Sequence, residues 1–338
     1  MTEHALPESR WVHRRGALAR EGWESVVDGT LPGWQHTGLR IAELAPGDRL
    51  DLAPAGAERI VVPLSGSVIV THDEGGVRTE TVLAGRASVF DGPTDVLYLS
   101  SAATGTITAA PAQSTGAPGS STGVARVAVA SSPSDVVRPT RHIRAEETPI
   151  ELRGAGASSR QVHNFGTPEA LDAARLIVCE VITPAGNWSS YPPHKHDERV
   201  PGHESRLEEI YYFESAPARP APVPDATAPA RSESAAVPPP ADPDAAFGLF
   251  STSSSPAGSI EIDARVRTGD IALVPFGYHG PAVAAPGYDL YYLNVMAGPD
   301  PERAWLISDD PAHAWVRSTW ADESVDPRLP FTAKGRTP

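Results

Sequence analysis

From Leu39 onward, apolar and polar residues alternate in short runs, LRIAEL, RLDLA, ERIVVPLSGSVIVTHD, TETVLAGRASVF and DVLYLS, with Gly and Pro between them. Period-two alternation bounded by turn formers predicts an antiparallel sandwich or barrel. Ahead of it, residues 1 to about 36 are irregular, with Trp11, Trp23 and Trp34 expected as packing anchors. The segment APAQSTGAPGSSTG (110–123) is polar and low in complexity, and the apolar run VARVAVA follows it directly. That run still needs a sheet, so a long hairpin loop within a first domain is expected there, not a linker. Pro-rich, charged sequence around SSPSDVVRPTRHIRAEETP separates two strand-rich regions and places the boundary at about residue 138, giving domains 1–138 and 139–338.

The second region opens with ELRGAGASSRQVHNF, a tight backbone path followed by the polar cluster Arg160, His163 and Asn164. LDAARLIVCEVITPAG then reads as a strand. At about 215–245 the chain is dominated by Ala and Pro, too poor in large apolar side chains to offset its ordering entropy, and a flexible surface loop is expected.

Composition narrows the function classes. The chain has 338 residues, a net charge of −14, 35 Pro and 29 Gly, which makes it acidic and turn-rich and argues against a nucleic-acid groove. Its one cysteine, Cys179, excludes an internal disulfide and, within the apolar run LIVCEVI, reads as a small buried hydrophobe. The charged start MTEHALPESRWVHRRG lacks an apolar signal core and no run reaches membrane-spanning length, so a cytoplasmic protein without membrane contact is expected.

Candidate chemistry concentrates in GNWSSYPPHKHDERVPGHESRLEEIYYF (186–213). His194 and His196 are two residues apart, which on a strand puts both imidazoles on one face. Glu208 and Glu209 open a second strand that a turn would bring back beside them, and His279 follows an apolar strand and the turn formers Pro275 and Gly277. Two to three His plus one carboxylate, with positions left over, make an open divalent-metal site. Strand parity pairs Glu209 with Tyr211 and Phe213, and Glu208 with Ile210 and Tyr212; both faces are apolar, so parity alone leaves the choice open. In YDLYYLN, Tyr292 and Asn294 share a face.

Gly186, His194, His196, Glu209, then Gly269, Pro275, Gly277, His279 and Asn294 follow the two cupin motifs. More narrowly, YPPHKHD, LEEIYYFE, VPFGYHGP, APGYDLYYLNVMAGP and DPAHAWVRSTW…DPRLP resemble the 5-deoxy-glucuronate isomerase family of inositol breakdown, densely from about Arg153 to Pro330. The resemblance implies an all-β bicupin. Its first cupin is degenerate and structural, because LAGRASVFDGPTDVLYL lacks the histidine and ERIVVPLSG has no HxH ahead of it; Glu58 and Arg59 are then expected solvated or ion-paired.

It further implies His194, His196, Glu209 and His279 as metal ligands, with Glu209 favoured over Glu208 by its place in the motif. Zn leads as the ion, Mn follows, and Fe or Ni also fit. The expected reaction is aldose–ketose isomerisation of 5-deoxy-glucuronate to 2-deoxy-5-keto-gluconate, with Glu208, Lys195 and Tyr292 as proton-shuttle candidates and Arg160, His163 and Asn294 as substrate contacts. A small sugar acid and a homo-oligomer, dimer or higher, are the expected partners. The alternatives are a 5-keto-4-deoxyuronate isomerase, a cupin dioxygenase or a non-catalytic sugar-binding cupin. Departures from the family pattern are the Ala/Pro segment, FGLFSTSSSPAGS where a strand bearing Gln and Arg is usual, and Phe276.

Overall fold

The computed structural model describes residues 10–52, 55–111, 123–218 and 245–332. The Ala/Pro loop expected at about 215–245 falls mostly outside these residues, as do 112–122 of the expected hairpin loop.

The first half forms β1 (Val12–His13), β2 (Ser25–Val27), β3 (Gly38–Leu44), β4 (Arg49–Asp51), β5 (Ala57–Glu74), β6 (Val77–Arg86), β7 (Val96–Leu99), β8 (Thr104–Ala109) and β9 (Ala125–Pro133). Next come β10 (Arg141–Ile143), β11 (Ile150–Arg153), β12 (Arg160–Gly166), β13 (Ile177–Thr183), β14 (Trp188–Ser189), β15 (His194–Lys195), β16 (Asp197–Val200) and β17 (Glu204–Arg206). The rest is β18 (Glu208–Pro217), β19 (Gly248–Ser253), β20 (Ile262–Val266), β21 (Ile271–Val274), β22 (Tyr278–Ala284), β23 (Tyr288–Ala297), β24 (Ser308–Asp309) and the short helix α1 (Val316–Thr319).

These strands build two lobes, each with two facing sheets. One lobe has the order β10-β7-β5-β9-β3-β2, and β4, β6 and β8 complete its second sheet through β5. In the other, β1-β21-β18-β23-β13-β12-β11 faces β20-β19-β22-β15-β24, with β14 on β22. The long strand β5 serves both sheets of its lobe because its register shifts at Pro63/Ser65 and again at Gly66/Val68. At that corner Gly66 has φ +74°, and an added Cβ would stand 2.7 Å from the Val124 carbonyl oxygen.

The strands that flank 112–122 do not pair with each other as the arms of a hairpin would: β8 pairs with β4 and β5, whereas β9 pairs with β3 and β5. Each lobe also takes an edge strand across the division proposed near residue 138. β1 pairs with β21 of the second lobe, and β10 pairs with β7 of the first.

Parity explains the cores. Val61, Val68, Val70, Leu97, Leu99, Ile107 and Val127 fill the first barrel with apolar side chains. A second, larger cluster runs from the contact between lobes into the second barrel. Trp11, Trp23 and Trp34 are buried, as packing anchors should be, and so is Cys179.

Buried polar groups tie the lobes together. Arg86 of β6 makes two hydrogen bonds to Glu180 of β13, at 2.7 and 2.6 Å, and Glu180 also accepts from Tyr291 and faces His163 Nδ1 at 2.6 Å. Burial pushes the Glu180 carboxyl up, but Arg86 and His163 outweigh it and hold the group at about 2. Glu58 accepts from the backbone N–H groups of Ala174, Arg175 and Leu176 and from the Tyr98 hydroxyl. Glu58 and Arg59 are therefore not solvated: both are fully buried, and Arg59 donates to the carbonyls of Ser100 and Ala103.

Candidate metal centre and active site

Three strands at one end of the second barrel bring the metal-ligand candidates together. β15 and the residue after it carry His194 and His196, β18 begins at Glu208-Glu209, and β22 carries His279. The register sets His194 opposite His279, so the histidines of separate motifs meet across one strand pair. Gly277, in the turn before β22, has φ +99°, and a Cβ there would lie 2.8 Å from the Ser253 carbonyl oxygen. Glycine is thus required by the turn that delivers His279.

His196 Nε2 lies 3.0 Å and His279 Nε2 3.1 Å from Glu209 Oε2. His196, Glu209 and His279 are all buried, and their donor atoms fall within 4.8 Å of one another. His194 stands beside this trio, its ring centroid 4.5 Å from that of His279 and 6.3 Å from that of His196.

Each ring turns its Nδ1 toward a backbone carbonyl: Pro192 at 3.4 Å for His194, Leu207 at 3.2 Å for His196, and Gly277 at 3.1 Å for His279. Those carbonyls accept an N–H, which leaves the lone pair on Nε2. His279 Nε2 is buried yet makes no hydrogen bond among the described residues. An orphaned lone pair beside a second imidazole and a carboxylate is what a divalent cation satisfies, so the residues fit an ion.

Glu209 is buried, with its Oε2 between the Nε2 atoms of His196 and His279. Asn294 Nδ2 donates to Glu209 Oε1 and orients it.

Deeper in the barrel, hydroxyls converge. Ser190 Oγ lies 3.2 Å from the hydroxyls of both Tyr211 and Tyr292, and Ser190 holds a left-handed φ of +44°, a strained conformation that its surroundings impose. Burial pushes both phenols up, so they keep their protons and act as donors. Tyr211 links this group to the metal ligands, its ring centroid 6.1 Å from that of His279 and 5.3 Å from that of Tyr292. Thr252 of β19, opposite His279 in the register, is also buried and its Oγ1 has no partner among the described residues.

Other expected site residues lie elsewhere. Glu208 is one residue off in parity, on the opposite face of β18 from Glu209. Its carboxylate is buried at the lobe contact, where it accepts from the N–H groups of Gln35, His36 and Thr37 and from the Thr37 hydroxyl. A group spent on capping backbone amides outside the barrel is no proton shuttle.

Lys195 likewise points away from the ring cluster. Its ammonium is held by Asp197, Glu198 and Glu204 at 2.8 to 2.9 Å; burial alone would lower its pKa, and the three carboxylates raise it instead. That acidic trio thus has its cation already, and a lysine so paired is no base. His163 faces the lobe contact through Glu180, not the substrate space. Asn294 serves the ligand Glu209 first. Arg160, two residues before Val162, lies on the barrel face of β12, since Val162 pairs with Val181 and Val181 with Tyr292.

Ser190, Tyr211 and Thr252 were not singled out from the sequence. Their one legible signal is parity: Tyr211 shares a face with Glu209.

Known proteins resemble the chain along most of its length. The KduI/IolB family profile matches residues 11–316. A 5-deoxy-glucuronate isomerase of Bacillus subtilis strain 168 is 36% identical over 311 residues, covering 92% of this chain and 96% of its own. One from Bacillus licheniformis is 36% identical over 279 residues, covering 82% and 86%. Among solved structures, an IolB-like protein from Salmonella typhimurium LT2 superposes with a TM-score of 0.71 at 28% identity, covering 91% of this chain and 99% of that one. The oxalate decarboxylase of Lactobacillus farciminis superposes at 0.56 with 11% identity, covering 90% of each, which speaks for the fold alone.

Proposed function

The chain belongs to the KduI/IolB family, and from that premise we propose that it is a metal-dependent 5-deoxy-glucuronate isomerase producing 2-deoxy-5-keto-gluconate. The observation that carries the chemistry is the convergence of His196 Nε2, His279 Nε2 and Glu209 at one buried point, with each imidazole's other nitrogen set against a backbone carbonyl.

His196, His279, Glu209 and the adjacent His194 would hold the ion; zinc comes first, then manganese, with iron and nickel compatible. Such an ion supplies Lewis acidity, which makes the hydrogen on the carbon next to a carbonyl removable. The protein supplies the rest. Asn294 holds Glu209 in its ligating rotamer. Isomerisation returns that hydrogen to C1 and moves a second proton from the C2 oxygen to the C1 oxygen, and the chain Tyr292–Ser190–Tyr211 offers three exchangeable O–H groups in a row for the second transfer. Of the three shuttle candidates from the sequence, Tyr292 alone lies in the barrel. We further read the reaction as a cytoplasmic step of inositol breakdown carried out by a homo-oligomer.

The test pairs metal analysis of the purified protein with anaerobic turnover of 5-deoxy-glucuronate, in wild type and His196→Ala. Near-stoichiometric metal and oxygen-independent ketose formation, both lost in the variant, are expected. Turnover that requires oxygen would replace the isomerase by a dioxygenase, and turnover of 5-keto-4-deoxyuronate alone would reassign the substrate.

A further inference from the structure

A sugar acid carries a carboxylate that must lose much of its hydration on entering a barrel, and it needs a cation there. β19 presents Phe250 and Thr252 inward and no basic group. Near the barrel, most cations are already satisfied: Lys195 by three carboxylates, Arg153 by Glu151 at 2.7 and 2.9 Å, and Arg317 by Asp309.

Arg160 differs. It is buried, at 5% exposure, yet it has no carboxylate within ion-pair distance among the described residues, and its one hydrogen bond is from Nη1 to the Ser158 carbonyl. Its other guanidinium donors have no protein acceptor among the described residues and, unlike Arg59 Nε or Arg86 Nε, are not sealed in, so they stay open to a ligand.

The C-terminal segment makes this a built feature. Strand β24 pairs with β15, which sets Asp309 opposite His194. Asp309 binds Arg317 of α1, and Arg317 and Arg160 each place their guanidinium carbon 5.3 Å from the Trp320 ring centroid. The Trp320 indole N–H is itself buried without a protein acceptor among the described residues. Beyond it, the chain stays tied to the barrel: Gly156 N–H donates to Ser324 and Asp326 N–H to Ser159. Burial, joined by the charges of Arg153 and Arg317, lowers the Arg160 guanidinium to about 10, which marks the spot as short of negative charge.

We propose that Arg160, steadied by the ring of Trp320 from the C-terminal segment, anchors the carboxylate of the sugar acid at the end of the chain remote from the metal ligands. This deepens the isomerase reading and rests on its sugar-acid substrate. The planar fork matches a carboxylate in a way that a lysine cannot, and the stacking ring fixes the fork without neutralising it, as an aspartate would.

The test is equilibrium binding by calorimetry of D-glucuronate and of D-glucose, which has a hydroxymethyl group in place of the carboxylate, to the metal-loaded full chain. It reads the anchor without turnover, so a failure of the isomerase assignment leaves it interpretable. Wild type should prefer glucuronate. In Arg160→Gln that preference should fall by about 10- to 100-fold, the size of one charge-assisted pair, with Arg160→Lys recovering part of it. Trp320→Leu, which leaves the arginine in place, should lose about 3- to 10-fold, the size of a cation–π contact. No preference in wild type, an unchanged preference in Arg160→Gln, or equal loss of both sugars would overturn the anchor. Full preference in Trp320→Leu would overturn the role of the C-terminal segment.

Discussion

Arg59 occupies in the first lobe the position that Glu209 occupies in the second. Each is the residue after a buried glutamate on the central strand of its sheet, in the tripeptides Glu58-Arg59-Ile60 and Glu208-Glu209-Ile210. Arg59 reaches the carbonyls of Ser100 and Ala103, in the turn after β7, while Glu209 reaches His279, which follows the turn after β21. One lobe thus fills with a guanidinium the place where the other assembles its ligands, and a cation cannot bind beside a buried cation. The preceding glutamates match too: Glu58 caps the amides at 174–176 and Glu208 those at 35–37, each reaching into the chain that leads into the opposite lobe.

That match separates a structural from a catalytic Glu208. Glu208→Ala should lower stability by about 3 kcal/mol or more, since several buried donors lose their acceptor, while kcat per folded molecule stays unchanged. Denaturant unfolding and active-site-normalised kinetics would measure the two. A stable variant with kcat down 100-fold would restore Glu208 as a shuttle.

Asn294→Leu should weaken metal binding by about 10- to 100-fold with the fold retained, because Glu209 loses the donor that orients it. Competition against a chelator of known affinity reads this directly. Unchanged affinity would mean that the Glu209 rotamer is fixed by its histidines alone.

Tyr292→Phe removes one end of the hydroxyl chain without touching a ligand. We expect kcat to drop by about 100-fold and bound metal to stay at the wild-type level. Equal activity would exclude the phenol from the oxygen-to-oxygen proton step.

The Glu180 carboxyl is held at about 2 in the folded protein against an ordinary 4.5. A depressed folded pKa stabilises fully above the unfolded value and ceases to do so as pH falls through the folded one. Wild type should therefore lose about 3 kcal/mol between pH 4.5 and 2 from this group. Glu180→Gln should be less stable at neutral pH by about 3 to 5 kcal/mol and should lack that part of the acid response. Unfolding midpoints across the pH series would show it, and parallel curves for the two proteins would refute the assignment.

Much of this was legible in the chain itself. Period-two alternation determined the strands LRIAEL, DVLYLS and YDLYYLN, because a strand's side-chain period is a local property. The His-x-His spacing and the Pro-x-Gly turn before His279 marked the metal chemistry for the same reason, and parity alone placed Tyr292 with Asn294. What alternation cannot say is which of two apolar faces looks into a barrel and which onto another lobe. Glu208 and Glu209, and likewise Arg160 and His163, are ordinary neighbours in sequence; only the packing of one lobe on the other sent one member of each pair into the barrel and its companion into the contact. The stacking of Trp320 on Arg160 and the approach of Asp309 to His194 join residues that are 160 and 115 positions apart. No local pattern encodes such encounters, because they depend on where the folded chain brings its ends.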